Sequence, residues 1–461
     1  MRRLIAAATL TLLAACSNNP GPAADAFDVM IENVNVVDAT SGLRENQRVL
    51  IAGDRIVRVE PVTSPAPAAA SVVDGTGLYA TPGLWDMHVH FIYDLELTEA
   101  MPDLFLDYGI TSVRDTGGDM AQLAALRARL EEGETPIPDI FISGPLLDGE
   151  LVVYDGGDPG RPPLGTQVAS LSQTAQRVAE LDRMGADFIK IYELVSPAVF
   201  LDLVAEARAR NLPIAAHVPL SMTADTAGPR VDSMEHLRNV ELACARDWEA
   251  RLQARRQRLD EFVGRGYDLR AELHSTHRVP SILAYDETRC ADVLQTLTGT
   301  IQVPTLRLNT MSVARPFERT AWQKGVMKLP RSVRDRWLAA TSSMPPATDT
   351  TFADWSLTLT GLMNDAGVPV GAGTDTPIGF GIPGESLHNE LAMLVDSGLS
   401  ATEAFRAATV IPARFFGLDD QMGQVAPGFE ADLLLLGANP LENISATRQI
   451  RRVMSDGAWV R

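Results

Sequence analysis

The chain has 461 residues, a formal net charge of −19 and 46% hydrophobic residues. That apolar content supports a large core and excludes intrinsic disorder, while 59 acidic against 40 basic residues repel phosphate backbones and exclude nucleic acid as a partner. Three cysteines are too few for a disulfide scaffold, and seven histidines are few enough that their positions carry information.

Residues 1–15 read as a removable address. Arg2 and Arg3 form a basic start, and Leu4 to Leu12 form an apolar run too short to span a bilayer. Leu13-Ala14-Ala15-Cys16 resembles a bacterial lipobox, which predicts lipidation of Cys16; the plain alternative is a secretory signal with Cys16 incidental. Ser17 resembles signals sorted to the outer membrane of Gram-negative bacteria. The expected location is lipid-anchored at the outer membrane and facing the periplasm, with the lipid as the only membrane contact. Losing Arg2 and Arg3 takes the formal charge from −19 to −21. Residues 16–26 then read as a tether. In that oxidising compartment Cys244 and Cys290 are expected to pair, with two buried free thiols as the alternative.

Both ends of the remaining chain carry the two-residue period of strands. Phe27–Ile31 opens one strand, and Arg48–Ile51 with Arg55–Val59 flank Ala52-Gly53-Asp54 as a hairpin. A Pro/Ala-rich stretch from Pro61 to Ala70 interrupts the pattern. Near the other end, Ala431–Leu436 reads as a strand and Ser455-Asp456-Gly457 as a turn between two more. The simplest arrangement is a small β-sandwich built from residues 27–80 plus 424–461. Between them, strand and helix patterns alternate. The expected strands are Leu84–His90, Ile110–Asp115, Asp139–Ser143, Ala186–Tyr192, Ile214–Val218, Val231–His236, Thr300–Leu306 and Val368–Asp375; helices are expected over Thr174–Met184, Ala198–Arg210 and Ser386–Ser397. Eight such units over residues 81–423 predict an α/β fold, a (β/α)8 TIM barrel with an insertion at about 237–299. A doubly wound open sheet is disfavoured because no G-x-G-x-x-G turn follows the first strand.

The polar residues fall at the carboxyl ends of these strands. His88 and His90 close the first, and residues i and i+2 of a strand share a face. Lys190 lies near the end of the fourth, His217 at the end of the fifth, His236 of the sixth and Asp375 of the eighth. Barrel enzymes keep their chemistry at that end. Imidazole and carboxylate ligands suit Zn²⁺. A lone histidine is more often structural, but four of seven at strand ends beside an aspartate favour a metal site. Lys190 cannot ligate as an ammonium; as a carbamate formed with CO₂ it offers two anionic oxygens, and the bland alternative is a rim salt bridge.

With these residues placed, the chain resembles the amidohydrolase superfamily, and within it the imidazolonepropionase-like and prolidase-like members. The marks are Thr81-Pro82-Gly83-Leu84-Trp85-Asp86-Met87-His88-Val89-His90, Gly109–Gly118, Phe188-Ile189-Lys190, Gly373-Thr374-Asp375 and Val425–Leu433. The resemblance implies two divalent metal ions, expected to be Zn²⁺: His88, His90 and Asp375 on one, His217 and His236 on the other, and carbamylated Lys190 bridging. It implies a bridging hydroxide as nucleophile, Asp375 as base and then acid, Tyr192 as a donor to the developing oxyanion, and Asp115 behind a ligand histidine. The implied reaction is hydrolysis of a small-molecule amide, in a dipeptide or N-acyl amino acid. A lactone or phosphoester hydrolase on the same centre and a non-catalytic scaffold are the alternatives, and homo-oligomer formation stays open. Two features depart from the family pattern: Leu147–Asp158 lacks histidine, and Leu237–Gly299 is long and holds a basic run from Arg251 to Arg258. Both loops are expected to lie over the site and set specificity. His274, His277 and His388 are expected to be surface or packing residues.

Overall fold

The computed structural model describes residues 27–133, 135–157 and 161–460. The signal, the tether, Cys16 and Asp158 lie outside the described residues. Among these residues no helix is long and apolar enough to cross a membrane.

The strands of both ends join in one continuous eight-stranded sheet. Phe27–Asp38 pairs antiparallel with Gly42–Ala52, which turns at Gly53 (φ 58°) into Arg55–Pro61. Tyr79–Pro82 joins the amino-terminal strands to Leu433–Leu436, and Ile450–Ser455 follows. Alternate residues set two faces. Ile31, Val36, Val49, Ile51, Leu433 and Leu435 share one core, while Leu434, Leu436 and Val453 turn the other way into the barrel core.

Residues 84–376 form the (β/α)8 barrel. Leu84–Val89, Ile110–Asp115 and Asp139–Ile142 pair in parallel; the third strand resumes at Leu146–Asp148 and pairs on to Ile189–Ile191, Ile214–Ala216, Ser233–Glu235 and Ile301–Val303. The eighth segment closes the ring through parallel bridges of Val370 to Gln302 and of Thr376 to Val89. The expected helices are Leu171–Arg183, Pro197–Arg208 and Glu385–Asp396. Pro197–Arg208 starts where Ser196 Oγ accepts the Val199 amide and Pro197 fills the first helical position.

Several ladders are shorter than the sequence pattern suggested, because the chain leaves them where the site begins. His236 and Leu237 have φ of 61° and 57°, so the sixth strand stops at Glu235; Asp375 has φ 58°. A non-glycine residue held there costs of order 1–3 kcal/mol and persists only where its surroundings fix it.

Helix Val410–Phe416 plugs the barrel near the amino-terminal strand ends. Phe415 meets Phe188 edge-on at 5.7 Å, and Phe416 stacks on Phe141 at 4.2 Å. The insertion is helical: Trp248–Glu261, Gly266–Leu283 and Glu287–Thr296. A disulfide between Cys244 and Cys290 closes it over a separation of 46 residues. Constraining a loop of that length stabilises a fold by about 2–4 kcal/mol. Reduction, or Cys290→Ala, should therefore lower the thermal midpoint by several degrees; an unchanged midpoint in a scan with and without dithiothreitol would refute this.

Candidate metal centre

His88, His90, Lys190, His217, His236, Asp375 and Tyr192 line one cavity of about 100 Å³ at the carboxyl end of the barrel. All are nearly inaccessible to solvent.

Each imidazole is held through Nδ1. His88 Nδ1 lies 2.7 Å from Glu235 Oε2, His217 Nδ1 2.7 Å from Glu193 Oε1, His236 Nδ1 2.7 Å from Thr305 Oγ1 and His90 Nδ1 3.2 Å from the Gly117 carbonyl. Thr305 gives its own proton to the Pro304 carbonyl at 2.8 Å, so its oxygen is free to accept. Burial holds His88 down at about 4 and His217 at about 3, which keeps both neutral. A neutral imidazole that donates through Nδ1 carries a lone pair on Nε2. The Nε2 atoms approach one carboxylate: Asp375 Oδ1 is 3.1 Å from His90 Nε2 and 3.4 Å from His88 Nε2, and Oδ2 is 4.0 Å from His236 Nε2. Against the effect of burial, the hydrogen bond and charge of Asp375 raise the proton affinity of His90. Two acceptors that close require a proton or a metal cation between them. His88, His90 and Asp375 place their ligand atoms within 4.8 Å of one another, and the His217 and His236 rings stand 4.8 Å apart.

Lys190 sits at the centre. Its Nζ is buried without a hydrogen-bond partner, 3.8 Å from Glu235 Oε1. Burial pushes its ammonium down to about 8. A rim salt bridge is not what the geometry shows. An orphaned amine among converging imidazoles and a carboxylate fits the carbamate and metal donor set.

Tyr192 packs its ring on His217 at 4.5 Å, and burial pushes its phenol well above 10, so the phenol stays protonated at neutral pH. Asp115 does not line the cavity. Its carboxylate accepts the Phe91 amide at 2.7 Å and the Gly117 amide at 3.0 Å, so it reaches His90 only through the Gly117 backbone. Burial raises its carboxyl to about 6.

The supporting carboxylates were not singled out in the sequence. Glu235 takes His88 on one oxygen and Arg114 at 2.7 Å on the other. Glu193 takes His217 and Arg270 (3.0 Å) on one oxygen and His274 on the other. His274 is therefore interior, behind His217, rather than on the surface. His388 is buried as well, between Thr447 and the Tyr108 carbonyl. The usable signal was an acid beside two of the proposed site residues, in Tyr192-Glu193 and Glu235-His236. Both divergent loops reach the cavity: Tyr154 comes from the third-strand loop, Arg238 and Arg270 from the insertion.

Residues 317–460 match the family model described as "Amidohydrolase family". A Xaa-Pro dipeptidase structure with bound methionine superposes with a TM-score of 0.66 at 19% identity, over 94% of this chain and 99% of that one. A putative prolidase from Bifidobacterium longum gives 0.65 at 22%, over 95% of each. The carboxyl-terminal third of the chain is thus similar to the amidohydrolase family. Among curated relatives, the dihydroorotase of Streptococcus thermophilus (strain CNRZ 1066) is 41% identical over 63 residues; that match covers only 14% of this chain and 14% of the relative. At these identities the superposed amidohydrolases establish the fold.

The Thr305 contact yields a test within this amidohydrolase site. Thr305→Val keeps the shape but removes the acceptor for His236, and losing such a partner lowers metal affinity by about 10–100-fold. Competition with a chelator should show that drop, with Thr305→Ser close to wild type; equal affinities in all three would exclude the role.

Proposed function

We propose that the chain hydrolyses an amide bond of a dipeptide or N-acyl amino acid on a binuclear metal centre. The observation that carries this is the convergence of four imidazoles and Asp375 around the orphaned Nζ of Lys190. The similarity to a Xaa-Pro dipeptidase and a putative prolidase supports the substrate class.

His88, His90 and Asp375 would hold one ion, His217 and His236 the other, with Zn²⁺ as the expected metal. Bound metal supplies a hydroxide nucleophile near neutral pH and polarises the substrate carbonyl. Lys190 would supply the bridge in two steps: its ammonium loses one proton, then the lone pair of the neutral amine adds to CO₂, a C–N bond forms and a second proton leaves, so a cation becomes a two-oxygen anion. Its lowered proton affinity makes that neutral amine accessible. Burial alone would raise the Asp375 carboxyl; the hydrogen bond to His90 and the charges of His88, His90 and Arg307 overcome it and hold Asp375 well below the usual range. An ionised Asp375 can take the proton of the attacking water and pass it to the leaving amine. Protonated Tyr192 donates toward the carbonyl oxygen as charge builds there. The substrate is a small molecule. Lipidation at Cys16 would hold the protein at the outer membrane, facing the periplasm, and the Cys244–Cys290 disulfide fits such an oxidising compartment.

Metal analysis of the purified protein should approach two equivalents per chain, and one equivalent after full loading would remove the bridging role of Lys190. Lys190→Ala should lose at least the ~100-fold in turnover that loss of a supporting partner alone can cost, and recover part of it with added short carboxylates. Full activity of the unsupplemented variant contradicts the carbamate. A screen of dipeptides and N-acyl amino acids, with lactones and phosphoesters as controls, tests the bond class.

A further inference from the structure

The arginines of the insertion divide into those with partners and one without. Arg255 donates to Asn239 Oδ1 at 2.9 Å, Arg256 to the Ser221 carbonyl at 2.8 Å, and Arg258 and Arg270 pair with Glu272 and Glu193. The basic run is thereby committed to structure. Arg238 differs. Among the described residues no side-chain hydrogen bond or ion pair reaches its guanidinium, and its Nε is buried without an acceptor. It lines the cavity that holds the four histidines, two residues beyond His236. Tyr154 and Tyr192, on the same cavity, both feel its charge.

Arg238 is half-buried at the cavity wall and makes no ion pair there among the described residues, which leaves its guanidinium available to an entering anion. Arg is the side chain suited to this, since its planar fork matches a carboxylate in two parallel hydrogen bonds. Arg270, the other arginine lining the cavity, is already tied to Glu193.

Cavity shape adds a second constraint. The inner cavity is about 100 Å³, so it admits one small group. At Ile378 it meets an outer cavity of about 710 Å³ whose walls include Tyr93, Trp337 and Phe380. Tyr93 stands 6.5 Å from the His90 ring, so the two spaces adjoin at the metal-site side.

Resting on the hydrolase reading above, we propose that Arg238 is a specificity-determining residue that grips the free carboxylate of the substrate in the inner cavity. A bulky acyl group then occupies the outer one. The substrate class is N-acyl amino acids with a free carboxylate, a small amino-acid part and a bulky acyl part that packs on Tyr93, Trp337 and Phe380 in a cavity also lined by Asp94, Glu96, Arg161 and Arg336.

The test uses a panel of N-phenylacetyl-L-amino acids and their matching C-terminal amides on the metal-loaded protein. Wild type should prefer carboxylates over amides by about 10–100-fold in kcat/KM, the range of a charge-assisted pair. Arg238→Met should abolish that preference, chiefly through KM, and Arg238→Lys should keep part of it because the charge remains but the fork does not. A wild type indifferent to the change, or an equal loss on carboxylates and amides in Arg238→Met, overturns the proposal. Thermal shift with the same panel needs no turnover: carboxylates should raise the midpoint of wild type but not of Arg238→Met. Turnover of both series alike leaves the hydrolase reading standing and removes the role of Arg238. Carboxylate-selective binding without turnover does the reverse, and neither effect removes both.

Discussion

The buried ion pair between Arg114 and Glu235 is the constraint on which the barrel mouth depends. Neither side chain has measurable access to water. Arg114 donates to the Met87 carbonyl at 2.6 Å, to Ser233 Oγ at 3.0 Å and to Glu235 Oε1 at 2.7 Å, which ties three strands together from inside the ring. Its guanidinium also lies 4.5 Å from the Phe415 ring of the plugging helix. Removing one member of such a pair leaves an uncompensated charge and typically costs about 3–5 kcal/mol. Stability is only half of its effect. The second oxygen of Glu235 takes the His88 Nδ1 proton, so the pair fixes the tautomer of a proposed ligand and aims its lone pair into the cavity.

The other imidazoles repeat that logic with different partners. His236 relies on a hydroxyl, His90 on a carbonyl pinned by Asp115, and His217 on Glu193. Glu193 brings the insertion into the argument. Its charge is balanced by Arg270 and His274, both on helix Gly266–Leu283. That helix lies between the segments joined by the Cys244–Cys290 disulfide. The insertion therefore supports the site at His217 as well as lining its cavity with Arg238.

The sequence made the barrel legible because strands buried on both faces leave short apolar runs, and the scarce polar residues in them stand out. His88, His90, Lys190, His217, His236 and Asp375 were found that way, and the structure lines one cavity with all six. Strand ends were less legible. The left-handed turns at His236 and Asp375 come from packing rather than from any glycine signal, so the ladders stop earlier than their apolar runs. Glu193 and Glu235 are not legible as partners because their histidines are distant in sequence; folding brings Glu193 to His217 across 24 positions and barrel closure brings Glu235 to His88 across 147. Arg238 was hidden for a related reason. Nothing in the sequence distinguishes Arg238 from the other arginines of the insertion, since pairing is a property of the folded chain.

The chain's acidity and the character of its cavity are separate matters. A formal charge of −19 describes the whole chain, whereas the potential inside a small enclosed space is set by the groups lining it and by how they are paired. The acids nearest this cavity do not neutralise it freely. Glu193 is held by Arg270 and two imidazoles, and Glu235 by Arg114 and a third. Asp375 faces the imidazole lone pairs. Once those commitments are made, Arg238 is the cavity arginine without an ion pair among the described residues, and two bound divalent ions would add to its positive charge. A neutral or cationic substrate would leave that charge uncompensated or enlarge it. An anionic one would be drawn from an acidic exterior into a cationic pocket, and the commitments among the surrounding side chains select its charge.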